Sequence, residues 1–269
     1  MLISINNYEK SSTYKLVKDI IEITEPLKNI GVSYFIYAEL DLNCSIRILV
    51  NNDSMIRDFI NNFGLKYELS LSPHKMINHG LHVATFMVQS QEINDYYANI
   101  FKSNKTANQL IYILDYNNIR KIYIFGVKDL FWINKEYLEL FTLYFSDQAA
   151  QFINLADHIP IPKDIVEYHL SLKQIQTVDG TKICLDDMEE EFLNKINAKY
   201  YKIKQLQQKY FLSARETQCL ELMLENKLAK EIANCLNLTV RTAETYIDNL
   251  KKKLHCRSKH EIMVKFFIK

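Results

Sequence analysis

Apolar and polar positions follow two different rhythms along this chain, one in each part. From Phe211 onward apolar residues recur every three or four positions, the spacing of helices with one buried face. Ser213 and Glu216 form an S-x-x-E capping pattern that starts a helix at Ala214. Cys219, Leu220, Met223 and Leu224 lie on its apolar side, and Asn226 follows as a residue tolerant of the left-handed conformation. Lys230 to Leu236 puts Ile232, Ala233 and Leu236 on one face, with Cys235 assigned there too, and Asn237 breaks it. Thr239 caps the next helix, in which Ala243, Tyr246, Leu250 and Leu254 face inward. Arg241, Thr242, Glu244, Thr245, Asp248, Asn249, Lys251 and Lys252 occupy its other side. Ser258 and Glu261 repeat the capping pattern before a last helix containing Ile262, Met263, Phe266 and Phe267. Helix, short turn, helix with a basic tail is the helix-turn-helix arrangement, whose second helix enters the DNA major groove.

The earlier part mixes period two with helical stretches. Ser11–Thr13 cap a first helix that runs to about Glu25, before Pro26 and Gly31. Residues 32–40 (VSYFIYAEL) and 45–50 (SIRILV) alternate as two strands of a hairpin, followed by a short helix from Asp53 or Ser54 through Asn61. A third strand is expected over 81–90, a helix over 92–101, a helical or partly helical stretch over 106–116, and a strand over 119–127. Residues 134–156 read as one long amphipathic helix ended before Pro160 and Pro162. The Asp179-Gly180 dipeptide predicts a small hairpin around Val178–Thr181. An acidic-to-basic helical connector follows, either packed on its own domain or used in dimerisation. The fold class is an α+β N-terminal domain, a mixed or antiparallel sheet with flanking helices, plus an all-α four-helix C-terminal domain. Its boundaries are 1–185 for the sensory or partner-binding domain, 186–210 for the connector and 211–269 for the DNA-binding domain.

Charge sharpens this picture only slightly. The stretch 211–269 holds eleven Lys and Arg against seven Asp and Glu, a net of +4 in a chain of net +1. The five cysteines lack C-x-x-C spacing and read as reduced thiols. No signal-peptide pattern and no bilayer-length apolar run is found, so a cytoplasmic location with no membrane association is expected.

Enzyme chemistry is thin. No Gly-rich phosphate loop, G-x-S-x-G or H-E-x-x-H is found, and His79 with His82 lacks further metal-ligating neighbours, so no catalytic residue, cofactor or metal is expected. The aspartate pocket of a phosphorylated receiver domain is also missing. Tyr34, Tyr37, Phe86, Tyr123 and Phe125 are candidates for lining a ligand cavity, with plain sheet core as the competing reading.

The LSARE, KEIA, RTAETY and KKL motifs, in that order and spacing, resemble the four-helix DNA-binding domain of LuxR-type transcriptional regulators. Three positions depart from the family pattern: Leu228 for a small capping residue, Ala243 for Val and Tyr246 for a frequent His. The resemblance implies that Glu244, Thr245 and Asp248 face base edges. Lys230, Arg241, Thr242, Lys251, Lys252 and Lys259 would contact phosphates, and Ile262 and Phe266 a second copy. The expected partners are double-stranded DNA, a homodimer mate and a small-molecule or protein signal at the N-terminal domain. That domain weakly resembles PAS/GAF-like and autoinducer-binding sensors, without the Trp, Tyr and Asp-Pro signature for an acyl-homoserine lactone; the single Trp132 lies far along the chain. The alternative is a helix-turn-helix adaptor that docks on RNA polymerase or another protein, with a ligand-independent interaction domain.

Overall fold

Ser11 accepts a hydrogen bond from the Tyr14 amide and so opens α1 (Ser12–Ile23). From there a computed structural model describes residues 8–61, 64–72, 79–84, 90–128, 135–172, 192 and 194–267. The chain divides into two units, Met1–Ile196 and Asn197–Lys269.

The first unit is built on β1 (Val32–Leu40), β2 (Ser45–Val50), β3 (Gly80–Val83), β4 (Asn108–Tyr116), β5 (Ile119–Val127) and β6 (Ile159–Pro160). They form one six-stranded sheet in the order β3-β4-β5-β1-β2-β6, and every recorded pairing is antiparallel. Its helices after α1 are α2 (Asp53–Asn61), the single turn α3 (Gly64–Tyr67), α4 (Gln91–Asn104), α5 (Lys135–Gln148), α6 (Ala150–Leu155) and α7 (Lys163–Ser171).

Side-chain alternation along the strands makes two apolar layers. One sheet face carries Tyr34, Ile36, Ala38 and Leu40 of β1 with Ile122 and Ile124 of β5, and it packs on Met55, Ile56 and Phe59 of α2 and Tyr96, Tyr97 and Ile100 of α4. On the opposite face Phe35, Tyr37, Tyr123 and Phe125 meet Phe141 and Phe145 of α5, with ring centroids 4.8–6.5 Å apart.

Two expectations are corrected. Residues 108–116 form β4, not helix, and join β5 through Asn117 and Asn118, whose φ of 48° and 64° suit a two-residue hairpin turn. The run Leu110–Ile113 is buried on both faces, which removes the period-two signal that would have marked it as a strand. The long helix predicted over 134–156 breaks at Ala149, giving α5 and α6. The third strand is seen over Gly80–Val83; residues 85–89 and the hairpin expected at 178–181 lie outside the described residues.

The second unit contains α8 (Ala198–Lys209), α9 (Ala214–Leu224), α10 (Ala229–Leu236), α11 (Val240–Lys253) and α12 (Lys259–Phe266). Its core joins Ile203 and Leu206 of α8 to Cys219, Leu220 and Met223 of α9, Ile232 and Ala233 of α10, Ala243 and Leu250 of α11, and Ile262 of α12. Among the described residues no helix is long and apolar enough to cross a membrane.

Candidate functional site

The caps that define the second unit sit at the residues the sequence marks. Ser213 Oγ accepts from the Glu216 amide at 3.2 Å while Glu216 accepts from the Ser213 amide at 2.7 Å, closing a reciprocal box at the start of α9. Asn226 and Asn237 follow α9 and α10 at φ 63° and 54°. At the start of α10 the departure from the family pattern is tolerated. Leu228 has no side-chain oxygen to offer, but its amide donates to Glu231 at 2.7 Å, so half of the box survives. Thr239 accepts from the Thr242 amide at 3.1 Å and starts α11. Ser258 accepts from the Glu261 amide at 3.0 Å and starts α12.

Helix α11 buries Ala243 and Leu250, with Tyr246 packed half-buried beside them. Lys230, Arg241, Glu244, Thr245, Asp248 and Lys252 are exposed, and Thr242 and Lys251 are half-exposed. The predicted base-facing and phosphate-facing residues of α11 thus share its outer side. Thr245 donates to the Arg241 carbonyl at 2.9 Å, and Asp248 pairs with Lys251 at 2.6 Å. The Lys251 ammonium holds the Asp248 carboxyl below the usual carboxylate range, so it is ionised and accepts hydrogen bonds.

Lysines in this unit divide into two groups that look alike in sequence. Lys253 donates to the Phe211 carbonyl at 2.9 Å and to Glu216 at 2.7 Å. Lys259, expected at a phosphate, reaches the Lys227 carbonyl at 3.2 Å, and Lys265 reaches the Leu254 carbonyl at 3.1 Å. Each of these three satisfies a carbonyl in the turn after a helix. Burial pushes Glu216 up, but Lys253 and the Ser213 cap outweigh it and leave its carboxyl below the ordinary range. Sequence reasoning missed Lys253 and Glu216 as a pair. The available signal was that Lys253 lies three residues after Leu250 and one before Leu254, at the edge of the apolar stripe.

Two further assignments change. Ile262 is fully buried in the core of its own unit, so its side chain is not presented to a second copy. On the same helix Val264 is exposed, and Phe266 is half-buried with its ring 6.0 Å from that of Tyr210. Cys235 is exposed, because α10 turns Ile232 and Ala233 inward and leaves the opposite side to solvent.

In the first unit the five aromatic candidates do not converge. Tyr34 lies on one sheet face and Tyr37, Tyr123 and Phe125 on the other, while Phe86 is outside the described residues. Positions 34 and 37 differ by an odd number, which on a strand means opposite faces. A small void lies on the Tyr34 face, lined by Ile36, Ala38, Ile48, Ile56, Phe59, Leu71 and Ile124, with a volume of about 10 Å³.

On that face also sits a buried polar chain. The Tyr34 hydroxyl donates to Gln109 Oε1 at 2.9 Å, and Gln109 Nε2 donates to Glu68 at 2.9 Å. Ser70 and Tyr97 hydroxyls donate to the same carboxyl group at 2.7 and 3.1 Å. Burial pushes Glu68 up from its ordinary 4.5, against the lowering effect of those donors. A carboxyl raised in the folded state binds more protons folded than unfolded, so its contribution to stability is present below about pH 4.5 and is lost as pH rises. Glu68→Gln is therefore expected to flatten the fall in stability of the first unit as pH rises above 4.5 in urea titrations. An unchanged pH slope in the variant would contradict this account of Glu68.

The fold and surface together define a helix-turn-helix DNA-binding unit joined to a sheet-based α+β unit. Asn197–Lys269 holds fifteen Lys and Arg against seven Asp and Glu, a net of +8. The whole chain has 33 against 32, which leaves Met1–Ile196 with 18 against 25, a net of −7. Such an asymmetry suits a nucleic-acid-binding unit.

Residues 211–266 match the family described as bacterial regulatory proteins, luxR family. The C-terminal unit thus carries the DNA-binding domain of LuxR-family bacterial regulators, and with it the function class of a DNA-binding transcriptional regulator. A comparison with curated protein sequences found no match. Among solved structures, similarity is found to SdiA in complex with octanoyl-rac-glycerol, with TM-score 0.34, 13% identity, and coverage of 91% of this chain and 85% of that one. A crystal structure of Escherichia coli SdiA gives TM-score 0.33 and 13% identity, covering 94% and 91%.

Proposed function

We propose that this chain is a sequence-specific DNA-binding regulator that acts in the cytoplasm as a homodimer and takes its signal at the N-terminal unit. The observation that carries the reading is the outer side of α11, where Glu244, Thr245 and Asp248 are exposed together beside Arg241, Lys251 and Lys252. An ionised Asp248 accepts from a cytosine amino group and repels phosphate, so it contributes to choice of sequence more than to affinity. Lys230, Arg241, Thr242, Lys251 and Lys252 supply the phosphate contacts, which fix register and make binding salt-dependent. Val264 and Phe266 on α12 offer apolar surface for a second copy, which would present two recognition helices to half-sites of a pseudo-palindrome.

Retention of the full chain on random duplex DNA at low salt, lost as salt rises, tests the DNA reading. A chain that ignores duplex DNA at low salt but is held by RNA polymerase would overturn it in favour of an adaptor.

A further inference from the structure

The geometry points to Lys253 as a positioning residue that sets how α11 meets DNA, not as a phosphate contact. The inference rests on the DNA-binding reading above. Lys251, Lys252 and Lys253 are consecutive, yet of the three it is Lys253 that bonds outside its own helix, while Lys251 pairs with Asp248 of α11. The Lys253 Nζ is 2.7 Å from Glu216 Oε2 and 2.9 Å from the Phe211 carbonyl oxygen. Glu216 is 4% exposed, and the same Oε2 accepts from the Ser213 amide at 2.7 Å. One carboxylate oxygen therefore ties the N-cap of α9 to the last residue of α11.

The mechanical consequence follows from where this tie sits. Helix α11 is held near its N-terminal half by Ala243 and in its C-terminal half by Leu250, both of them apolar contacts. Packing of these side chains, with Tyr246 and Ile247 beside them, limits large movements of the helix, but the apolar attraction itself has no preferred direction. The Lys253–Glu216 bond is directional and charge-assisted, and it is shielded at the carboxylate end. It adds a directional restraint on the roll and axial position of the helix, and hence on where Glu244, Thr245 and Asp248 arrive at the bases. A phosphate contact would act on all sequences equally; a positioning contact acts on discrimination.

The test compares full-length Lys253→Met, Lys253→Arg and Lys252→Met on a selected duplex and on a random duplex across a salt series. Because Lys253→Met strands a buried carboxylate, Glu216→Gln combined with Lys253→Met is measured alongside; it removes both charges and keeps the volumes. Loss of Lys253 is expected to weaken the selected duplex by roughly tenfold or more while leaving the random duplex and the salt slope unchanged. The double variant should show the same loss of discrimination, and Lys253→Arg should restore most of it. Lys252→Met should weaken both duplexes and lower the slope by about 1 per protomer.

If Lys253→Met behaves like Lys252→Met, Lys253 is a phosphate ligand and the inference is wrong. If the double variant discriminates like the unaltered chain, the pair stabilises the unit without positioning the helix, and the inference is equally wrong. Failure of the unaltered chain to bind either duplex would sink the DNA reading itself, and this inference with it.

Discussion

Replacing Lys251 and Lys252 together by alanine is expected to weaken binding to every duplex, selected or random, by about 10- to 100-fold in total. The reasoning starts from position: both residues stand on the outer side of the last turns of α11, with Lys252 exposed and Lys251 held beside Asp248 at 2.6 Å. A cation that neutralises one phosphate releases condensed counterions, and each such contact contributes about 0.9 to the slope of log K against log salt. The double variant should therefore lose about 1.8 of slope per protomer. The melting temperature should change little, since Lys251 pairs with Asp248 on the helix surface and Lys252 is solvent-exposed. A variant that kept the slope but shifted its preferred sequence would show that these lysines read bases and that the phosphate assignment is mistaken.

The second large effect concerns the other unit and needs only one methyl group. Tyr34, on β1, is fully buried, and its ring crosses Gly126 of β5 to bring the hydroxyl to Gln109 on β4. A Cβ at position 126 would overlap the Tyr34 ring well inside van der Waals contact. The ring cannot step aside without giving up its bond to Gln109 and loosening the chain that ends on Glu68. Gly126→Ala is thus expected to cost the N-terminal unit about 3 kcal/mol, near the upper end for overpacking. In differential scanning calorimetry that corresponds to a fall of on the order of 10 °C. Adding Tyr34→Leu should recover part of the loss, because the overlap disappears while Gln109 loses a donor. Gly126→Ala melting with the unaltered protein would mean that the Tyr34 ring does not lie across that strand.

Much of the second unit is legible in its sequence, because its helices begin and end on local chemistry. Ser213, Thr239 and Ser258 are caps wherever they stand, and Asn226 and Asn237 adopt left-handed backbone without help from distant residues. The function of individual side chains is less legible. Lys251 and Lys253 share a type and a neighbourhood, and only the helical phase relative to Leu250 separates a bond within α11 from a bond to α9. The burial of Ile262 follows the same logic: an apolar residue one turn after a capping box reads equally as core or as interface until its neighbours are placed.

The first unit hides more, for a physical reason. Strand β4 is buried on both faces at Leu110–Ile113, so its sequence is a continuous apolar run with no period. Only the Asn117-Asn118 turn betrays the hairpin, and paired asparagines are a weaker mark than Asn-Gly. The break at Ala149 has no proline or glycine to announce it. The cavity was not legible at all. Its lining comes from β1, β2, β5, α2 and Leu71, brought together by the order β5-β1-β2 in the sheet, and it is aliphatic where the conspicuous residues are aromatic.

The central claim is that α11 reads DNA sequence from a dimeric regulator. Repeated selection of duplexes bound by the full chain from a random pool tests it most directly. Enrichment of a pseudo-palindrome, with half-sites one helical turn apart (about 34 Å) or a multiple of it, is the predicted result. A pool that stays random after successive rounds, at salt low enough to retain DNA, would contradict it.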